Sequence, residues 1–205
     1  MSQPCDLNCR VAAPGRLDEE LQEFWVGSPW EIMMKHNLSC FERNRTYLNV
    51  AGQDFVDVSY LSGADNDGDS RSAIAVDFRN QGQLDLVVRQ VGGGPLVIYE
   101  NHFPPRHYLK VSLRGTRSNR LGLGSRLVAT VGDRQIVREM YPVNSYRSQN
   151  PLLAHFGLDQ AERVDQLLIR WPSGHEQRFQ DLSGDRHILI EEGSDAITTV
   201  NPGVP

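Results

Sequence analysis

Apolar and polar side chains alternate along Val164-Asp165-Gln166-Leu167-Leu168-Ile169-Arg170-Trp171 and along Tyr108-Leu109-Lys110-Val111-Ser112-Leu113-Arg114. Successive side chains of a β-strand point to opposite faces, so this period predicts strands that each bury one face. Similar short runs recur between residues 105 and 192 and are separated by glycine, asparagine, aspartate or proline. This part of the chain is therefore predicted to form an antiparallel β-sandwich or barrel.

Shorter β-rich runs between residues 46 and 100 predict a blade-like antiparallel sheet unit upstream. A short helix is expected before it, from Leu17 to about Val26, because acids follow Leu17 where they favour a helix N-terminus. One face of that helix would carry Leu17, Leu21, Phe24 and Trp25. The protein is predicted to be mainly β.

Pro104-Pro105 marks the predicted boundary between the two halves, because proline donates no backbone hydrogen bond and stiffens the chain. The expected organisation is a flexible arm over residues 1–16, the helix and blade unit over residues 17–104, a β domain over residues 105–192 and a flexible tail over residues 193–205. The first and last segments contain little that a core would bury.

The composition is that of an ordinary globular protein, with 205 residues of which 39% are hydrophobic and 23% charged. No apolar run approaches the roughly 20 residues that cross a bilayer, so no transmembrane segment is expected. The net charge of −5 argues against a nucleic-acid partner. The first residues lack the basic head and apolar stretch of a secretion signal, which predicts a cytoplasmic protein or a chain whose upstream part is missing.

The three cysteines are Cys5, Cys9 and Cys40. They are too few for a disulfide scaffold, and no C-x-x-C spacing repeats. Reduced thiols are the expected state, while a bridge from Cys9 to Cys5 or to Cys40 stays open for an oxidising compartment.

The densest group of oxygen ligands is Asp65-Asn66-Asp67-Gly68-Asp69. Calcium takes six to eight oxygens, and acids at alternate positions around a glycine let a short loop supply several of them. Val76 stands where an EF-hand loop would place its last glutamate, so the match to that motif is incomplete. A calcium site formed by Asp65, Asp67 and Asp69 and an Asx-rich turn without metal are the two interpretations.

A second acidic loop is Asp77-Phe78-Arg79-Asn80-Gln81-Gly82-Gln83-Leu84-Asp85-Leu86. It resembles the calcium loop of the FG-GAP or VCBS repeat, a blade unit of integrin-type β-propellers, and this implies Asp77 and Asp85 as calcium ligands. Arg79 stands where that pattern places an acid, and a guanidinium cannot ligate a cation. The alternative is that Arg79 supplies the positive charge itself and pairs with Asp77 or Asp85.

Five segments in the matching order carry a further resemblance. They are Gly115-Thr116-Arg117-Ser118-Asn119-Arg120-Leu121-Gly122-Leu123-Gly124-Ser125-Arg126, Arg138-Glu139, Ser145-Tyr146-Arg147-Ser148-Gln149, His155-Phe156-Gly157-Leu158 and Trp171-Pro172-Ser173-Gly174. Together they are similar to the ASPIC/UnbV domain, which commonly follows FG-GAP repeats in the cartilage acidic protein family and its bacterial relatives. The resemblance covers roughly residues 38–190 and implies an extracytoplasmic protein.

The chain is too short for a complete β-propeller, because only one or two blade-like units fit before Pro104. It is therefore a fragment, a self-associating module, or a minimal relative that packs a single blade remnant against its C-terminal domain and N-terminal helix. The third interpretation is favoured, because the segment from Leu17 to Trp30 offers apolar cover for the blade.

The residues expected to contact a ligand or partner lie in predicted loops. They are Arg117, Asn119, Arg120, Tyr146 and Arg147. Charged and aromatic side chains on loops of a rigid scaffold are typical of recognition sites, and they also occur in purely structural loops.

No catalytic motif is present in the sequence: it contains neither H-E-x-x-H nor G-x-S-x-G. Ser173 lies in a predicted hairpin turn, and His155 alternates with Phe156 in a predicted strand, which is typical of a half-buried structural histidine. The leading hypothesis is a non-catalytic module that binds a protein or glycan, with Ca²⁺ as the one cofactor considered. The alternative is a metal-dependent hydrolase or accessory biosynthetic enzyme that uses Asp65, Asp67 and Asp69 with a histidine.

Overall fold

The structure is a computed structural model, and it describes residues 17–20, 23–24, 43–68, 70–90 and 95–201. The chain divides into two compact units, residues 1–73 with 87–99 and residues 74–86 with 100–205. Residues 74–86, which the sequence analysis assigned to the N-terminal half, therefore group with the C-terminal unit. All three cysteines, and Asp69 of the first acidic loop, lie outside the described residues.

The first unit begins with very short strands. β1 (Leu17–Asp18) pairs antiparallel with β2 (Glu23–Phe24), so the helix expected from Leu17 to Val26 is wrong at these four positions. Isolated helices shorter than about 12 residues are marginal in water, and periodicity alone does not stabilise one. The other residues of that expected helix are Glu19 and Glu20, which form a turn, and residues that lie outside the described ones.

A second hairpin of the first unit joins β3 (Tyr47–Val50) and β4 (Asp54–Asp57), and the one-turn helix α1 (Ser59–Ser62) follows. Next come β5 (Ser70–Val76), β6 (Asp85–Gln90) and β7 (Leu96–Tyr99), which form a three-stranded sheet in that order. The β-rich runs between residues 46 and 100 had predicted strands here, and this is confirmed. The division between the two units passes through β5 and β6.

Besides parts of β5 and β6, the described residues of the second unit form ten strands. They are β8 (His107–Arg114), β9 (Arg126–Val131), β10 (Arg134–Glu139), β11 (Val143–Asn144), β12 (Ser148–Gln149), β13 (Ala154–Asp159), β14 (Arg163–Arg170), β15 (Glu176–Ser183), β16 (Arg186–Glu191) and β17 (Ile197–Thr199). They form one sheet in the order β10-β9-β14-β15, a second in the order β13-β8-β16-β17, and the hairpin β11–β12. The predicted mainly β fold with antiparallel sheets is confirmed.

The core of the second unit lies between its two four-stranded sheets, because their buried side chains form a single hydrophobic cluster. From one sheet come Leu127, Ala129, Val131, Val164, Leu167, Ile169, Phe179 and Leu182; from the other come Leu109, Val111, Leu113, Ala154, Phe156, Leu158, Ile188 and Ile190. Two sheets that share one interior in this way form a sandwich. Each strand also leaves one face outside the core, and those outer faces and the loops are available for function.

Two features of the second unit differ from the expectation. β16 pairs with β8 in parallel, so one sheet is mixed rather than purely antiparallel. The expected flexible tail from residue 193 contains β17, which pairs with β16 because Ile197 packs against the core. Among the described residues, no helix has the length and apolar character needed to span a membrane.

Candidate functional site

A row of polar side chains crosses the outer face of the β13-β8-β16 sheet. Strand alternation sends Leu109, Val111 and Leu113 into the core and leaves Lys110 on the opposite face. The strand register places His155 of β13 and His187 of β16 directly opposite Lys110. Lys110 is nevertheless only 4% exposed, so a cation is buried at the centre of the row.

The loop after β5 supplies the counter-charge for Lys110. The ammonium Nζ lies 3.0 Å from Asp77 Oδ2 and 3.2 Å from Asn80 Oδ1. The Asp77 carboxylate also accepts hydrogen bonds from the backbone N–H groups of Gln81 (2.9 Å) and Gly82 (2.7 Å). Burial alone would raise the pKa of Asp77, but these hydrogen bonds outweigh it and hold the pKa below its ordinary value.

Gly82 allows this loop to lie against β8. Its φ of +84° falls in the left-handed region, and a Cβ at this position would meet the Tyr108 ring at 1.9 Å. The carbonyl of Gly82 accepts a hydrogen bond from His155 Nε2 at 2.8 Å, and the His155 ring stacks on Tyr108 with centroids 6.0 Å apart. The loop is thus held against β8 and β13.

Both histidines of the row are neutral at pH 7. Burial lowers the pKa of His155 below its ordinary value of 6.5, and the charges of Arg138 and Lys110 act in the same direction. Burial and Lys110 likewise lower the pKa of His187, whose Nε2 lies 2.8 Å from Ser112 Oγ. No described carboxylate hydrogen bonds to His187, so the Ser112–His187 pair lacks the third group of a catalytic triad.

Arg79 pairs with the second acid of this loop. Its Nη2 lies 3.6 Å from Asp85 Oδ1, and Nη1 contacts Glu100. Asp85 is buried and also accepts a hydrogen bond from the Asn101 N–H at 2.8 Å. A protein cation therefore stands beside each of the two implied calcium ligands, Lys110 beside Asp77 and Arg79 beside Asp85, and calcium binding there would have to overcome both charges.

Sequence analysis missed Lys110, because its partner Asp77 is 33 residues away and no local pattern links them. The one signal in the sequence is the position of Lys110 in the middle of a predicted strand whose opposite face is strongly apolar. A lysine in that setting is buried only when a carboxylate pairs with it.

A cavity of about 390 Å³ adjoins this row within the second unit. Lys110, His155 and Arg138 contribute to its lining, together with apolar residues from the segment that connects β10 to β13. The sequence analysis singled out none of these residues as ligand contacts.

The loop over residues 115–124 holds three of the predicted contact residues. Asn119 is used inside the loop, because its Nδ2 donates to the Leu123 carbonyl and its Oδ1 accepts the Leu123 N–H, both at 2.8 Å. Arg117 and Arg120 are exposed, and the described part of the chain gives neither of them an acidic partner. Asn119 therefore shapes the loop, while the two arginines face solvent.

A buried carboxylate anchors the start of that loop. Glu192 Oε2 accepts the backbone N–H groups of Thr116 (2.9 Å), Arg117 (2.8 Å) and Ser118 (2.7 Å). Its Oε1 accepts the hydroxyls of Ser118 and Ser173. Burial would raise the pKa of Glu192, but these hydrogen bonds lower it to about 2. Ser173 therefore serves the loop as a hydrogen-bond donor.

Tyr146 and Arg147 lie in the turn of the β11–β12 hairpin, with the Arg147 guanidinium 5.1 Å from the centre of the Tyr146 ring. Both loops leave the same end of the β9–β10 ladder, because the Gly124 N–H donates to the Met140 carbonyl at 2.9 Å. The Met140 N–H donates back to Ser125 at 2.8 Å. The two loops that carry the predicted contact residues thus begin at the same end of the β9–β10 ladder.

The first acidic loop forms an Asx turn, because Asn66 Oδ1 accepts the Gly68 N–H at 2.7 Å and the Gln90 amide at 2.6 Å. Asp65 pairs with Arg43 at 2.7 Å, and Asp67 is exposed. Within the described ranges, no three histidine, cysteine, aspartate or glutamate side chains are grouped so that they could hold a metal ion. Since Asp69 is outside those ranges, the calcium site stays a prediction.

The geometry of the second unit is thus a two-sheet sandwich, with two of its loops beginning at one end of the β9–β10 ladder. Residues 115–197 match the protein family described as ASPIC and UnbV. The match lies in the region where the five segments had indicated similarity to the ASPIC/UnbV domain. A search of curated proteins found no match to the chain.

Proposed function

We propose that this chain is a binding module whose loops at one end of the sandwich recognise an acidic protein or glycan. The observation that carries the proposal is that the loops carrying the exposed Arg117, Arg120 and Arg147 begin at the same end of the β9–β10 ladder, where Gly124 pairs with Met140. Arginine presents a planar fork of donors that matches carboxylate and sulfate groups. The sandwich beneath the loops supplies the rigidity that keeps these donors in place.

Local charge matters more here than the net charge of −5. At physiological ionic strength charges are screened beyond about 8 Å, so an acidic partner near the loops responds mainly to the arginines there. Arg117 is additionally fixed in its backbone position, because its N–H donates to Glu192. A fixed backbone reduces the entropy that binding would otherwise cost.

The variant Arg117→Gln/Arg120→Gln/Arg147→Gln is expected to bind an oligoglutamate peptide or chondroitin sulfate at least about tenfold more weakly than the wild type. Binding is measured by biolayer interferometry at low and high NaCl concentration. The expected wild-type affinity falls with salt, because exposed charges carry it. The peptide and the glycan are compared to decide between the two kinds of partner.

A matched control replaces three exposed arginines away from this end of the sandwich by glutamine, namely Arg106, Arg163 and Arg178. It changes the net charge by the same three units but leaves the loops intact. Equal losses in the two triple variants, or no binding of either probe by the wild type, would contradict the proposal.

We also propose that the sheet β5-β6-β7 is a single FG-GAP-type blade remnant and that its neighbouring loop at Asp65, Asp67 and Asp69 is calcium-stabilised. The support for the blade is the Asp77 loop between β5 and β6, which curls around its first carboxylate as a ligand loop would. The support for calcium is the alternate spacing of the aspartates.

Adding Ca²⁺ is expected to raise the melting temperature relative to a sample with chelator. At about 100 times its dissociation constant, a ligand that binds only the folded state adds roughly 2.7 kcal/mol to the free energy of unfolding. Asp67→Ala should abolish this shift, whereas Asp133→Ala, which removes an exposed aspartate from a hairpin turn, should leave it unchanged. An equal melting temperature with calcium and with chelator would remove the calcium proposal and leave the loop proposal intact.

A further inference from the structure

The cavity of about 390 Å³ in the second unit is large enough for a small organic molecule, since ligand sites commonly begin near 300 Å³. It lies beside the edge strands β10 and β13, and the loop after β5 also contributes to it. Its lining combines charged and polar side chains with an apolar wall.

Arg138 is the cation of this cavity without an acidic partner. Its Nε donates to the His155 carbonyl at 2.8 Å and its Nη1 to the Val137 carbonyl at 2.9 Å. The guanidinium also lies 5.8 Å from the centre of the Phe156 ring. These contacts fix the plane of the guanidinium, while Nη2 hydrogen bonds to no group in the described part of the chain.

The contacts with β13 and with the Phe156 ring cover part of the guanidinium, and this partial burial lowers the pKa of Arg138 from its ordinary value, although the residue as a whole is exposed. A ligand carboxylate that accepts a hydrogen bond from the guanidinium would compensate for the lost hydration, because a charge-assisted hydrogen bond is strongest where water is partly excluded. The side chain is still reachable from solvent, so a ligand could approach it.

The other ionisable groups of the cavity are already compensated. Lys110 Nζ lies 3.0 Å from Asp77 Oδ2. Glu139 also lines the cavity, and its Oε1 lies 3.5 Å from Arg126 Nη1. His155 is neutral at pH 7 because burial lowers its pKa. The cavity therefore carries one uncompensated positive charge, which selects a ligand with a single negative charge.

The apolar wall comes from the segment between β10 and β13. It comprises Met140, Tyr141, Pro142, Pro151, Leu152 and Leu153. Tyr141 is 69% exposed and Leu152 36% exposed. Covering this apolar surface with a ligand therefore favours binding. The ligand should accordingly have an apolar body next to its charge.

We propose that this cavity binds a carboxylate attached to a compact apolar body, with Arg138 as the partner of the carboxylate. Two sources offer this chemistry: a free organic acid, and the C-terminal residue of a protein. The proposal goes beyond the recognition of acidic partners by the arginine loops, because it uses other residues, and either can fail without the other.

The test is a titration of the ¹⁵N-labelled full chain with three probes, followed by two-dimensional NMR. The probes are 4-methylpentanoate, N-acetyl-leucine and N-acetyl-leucinamide. Both carboxylates are expected to shift the amide signals of the segment 138–155, and the amide probe to bind at least about tenfold more weakly, because it lacks the charge. Tighter binding of N-acetyl-leucine than of 4-methylpentanoate indicates a C-terminal residue, and the reverse order indicates a free acid.

Arg138→Gln is expected to lower the affinity for both carboxylates at least about tenfold. Arg134→Gln is its matched control, because Arg134 stands on the same face of β10 and donates to the Leu158 carbonyl of the same neighbouring strand at 3.4 Å, yet it does not line the cavity. The control is expected to bind like the wild type.

Leu152→Trp keeps the guanidinium but fills the cavity, and it is expected to remove binding even if Arg138→Gln fails to fold. Three results would overturn the proposal: no shifts in the segment 138–155 up to roughly 10 mM of either carboxylate, equal binding of the amide probe, or equal losses in Arg134→Gln and a folded Arg138→Gln.

Discussion

Replacing Lys110 by methionine is expected to lower the free energy of unfolding by about 3–5 kcal/mol, because it leaves the Asp77 carboxylate buried without its cation. The side chains of Lys110 and Asp77 are only 5% and 6% exposed, so water cannot take the place of the ammonium. Methionine has a similar length and keeps the contact with the neighbouring strands, which isolates the electrostatic part of the loss. Urea denaturation measures the change.

Adding Asp77→Asn to Lys110→Met should restore much of the lost free energy of unfolding. In Lys110→Met/Asp77→Asn, the charge is gone from both sides, while the asparagine Oδ1 can still accept one backbone N–H of the loop. The double variant is therefore expected to be more stable than Lys110→Met. A control at an exposed ion pair, Arg163→Gln, should cost less than about 1 kcal/mol, since solvent screens that pair.

An unfolding free energy of Lys110→Met within about 1 kcal/mol of the wild type would contradict the interpretation of Lys110 as the resident cation of the Asp77 loop. The pH dependence gives a second check. Because the pKa of Asp77 is lowered in the folded state, its contribution to stability is present above its ordinary value and is lost as the pH falls through the folded value.

Strands are the part of this fold that the sequence predicted well, because alternation is a local signal. Leu109, Val111 and Leu113 recur every second residue, and all three are buried in the core. Val164 and Leu167 are both buried although they are three positions apart, so the alternation of β14 shifts between them. Asp181, on the partner strand, has a φ of +56°, and no glycine in the sequence marks this left-handed position.

Non-local pairing is what the sequence did not predict. The parallel pair β16–β8 joins segments about 77 residues apart, at Lys110 and His187 for example, and no turn signal specifies it. The wrong helix at Leu17 has the opposite cause: its periodicity was local and real, but periodicity needs a packed surface to produce a helix. β17 pairs with β16 because a single isoleucine, Ile197, packs against the core.

The site shows the same limit. Loop composition pointed to Arg117 and Arg120, which are exposed, and to Asn119, which is used inside the loop. It could not point to Arg138, because its environment arises from the meeting of two strand edges, nor to Glu192, because its donors lie about 75 residues earlier in the chain. Residue type predicts chemistry, while burial and partners come only from the tertiary fold.

Glu192→Gln is expected to lower the free energy of unfolding by about 3 kcal/mol at pH 7. The Oε2 atom of Glu192 accepts three backbone N–H groups, and the amide of glutamine would place either a donor or a weaker, uncharged acceptor there. Hydrogen bonds to a charged group contribute about 1.5–3 kcal/mol each, and buried donors left without a partner add to the loss. Thermal and urea denaturation measure it, and the loop that carries Arg117 should lose amide protection in hydrogen exchange.

The pH dependence separates this charge effect from simple loss of packing. Because the pKa of Glu192 falls from an ordinary 4.5 to about 2 on folding, the stabilisation is complete above about pH 4.5 and is lost as the pH falls toward 2. The difference between the wild type and Glu192→Gln should therefore shrink over that interval. Glu191→Gln, next in the chain and only 3.5 Å from the exposed Arg114, is the control and should cost less than about 1 kcal/mol. A difference between wild type and Glu192→Gln that stays constant from pH 7 to pH 2 would show that the carboxylate does not hold the loop through its charge.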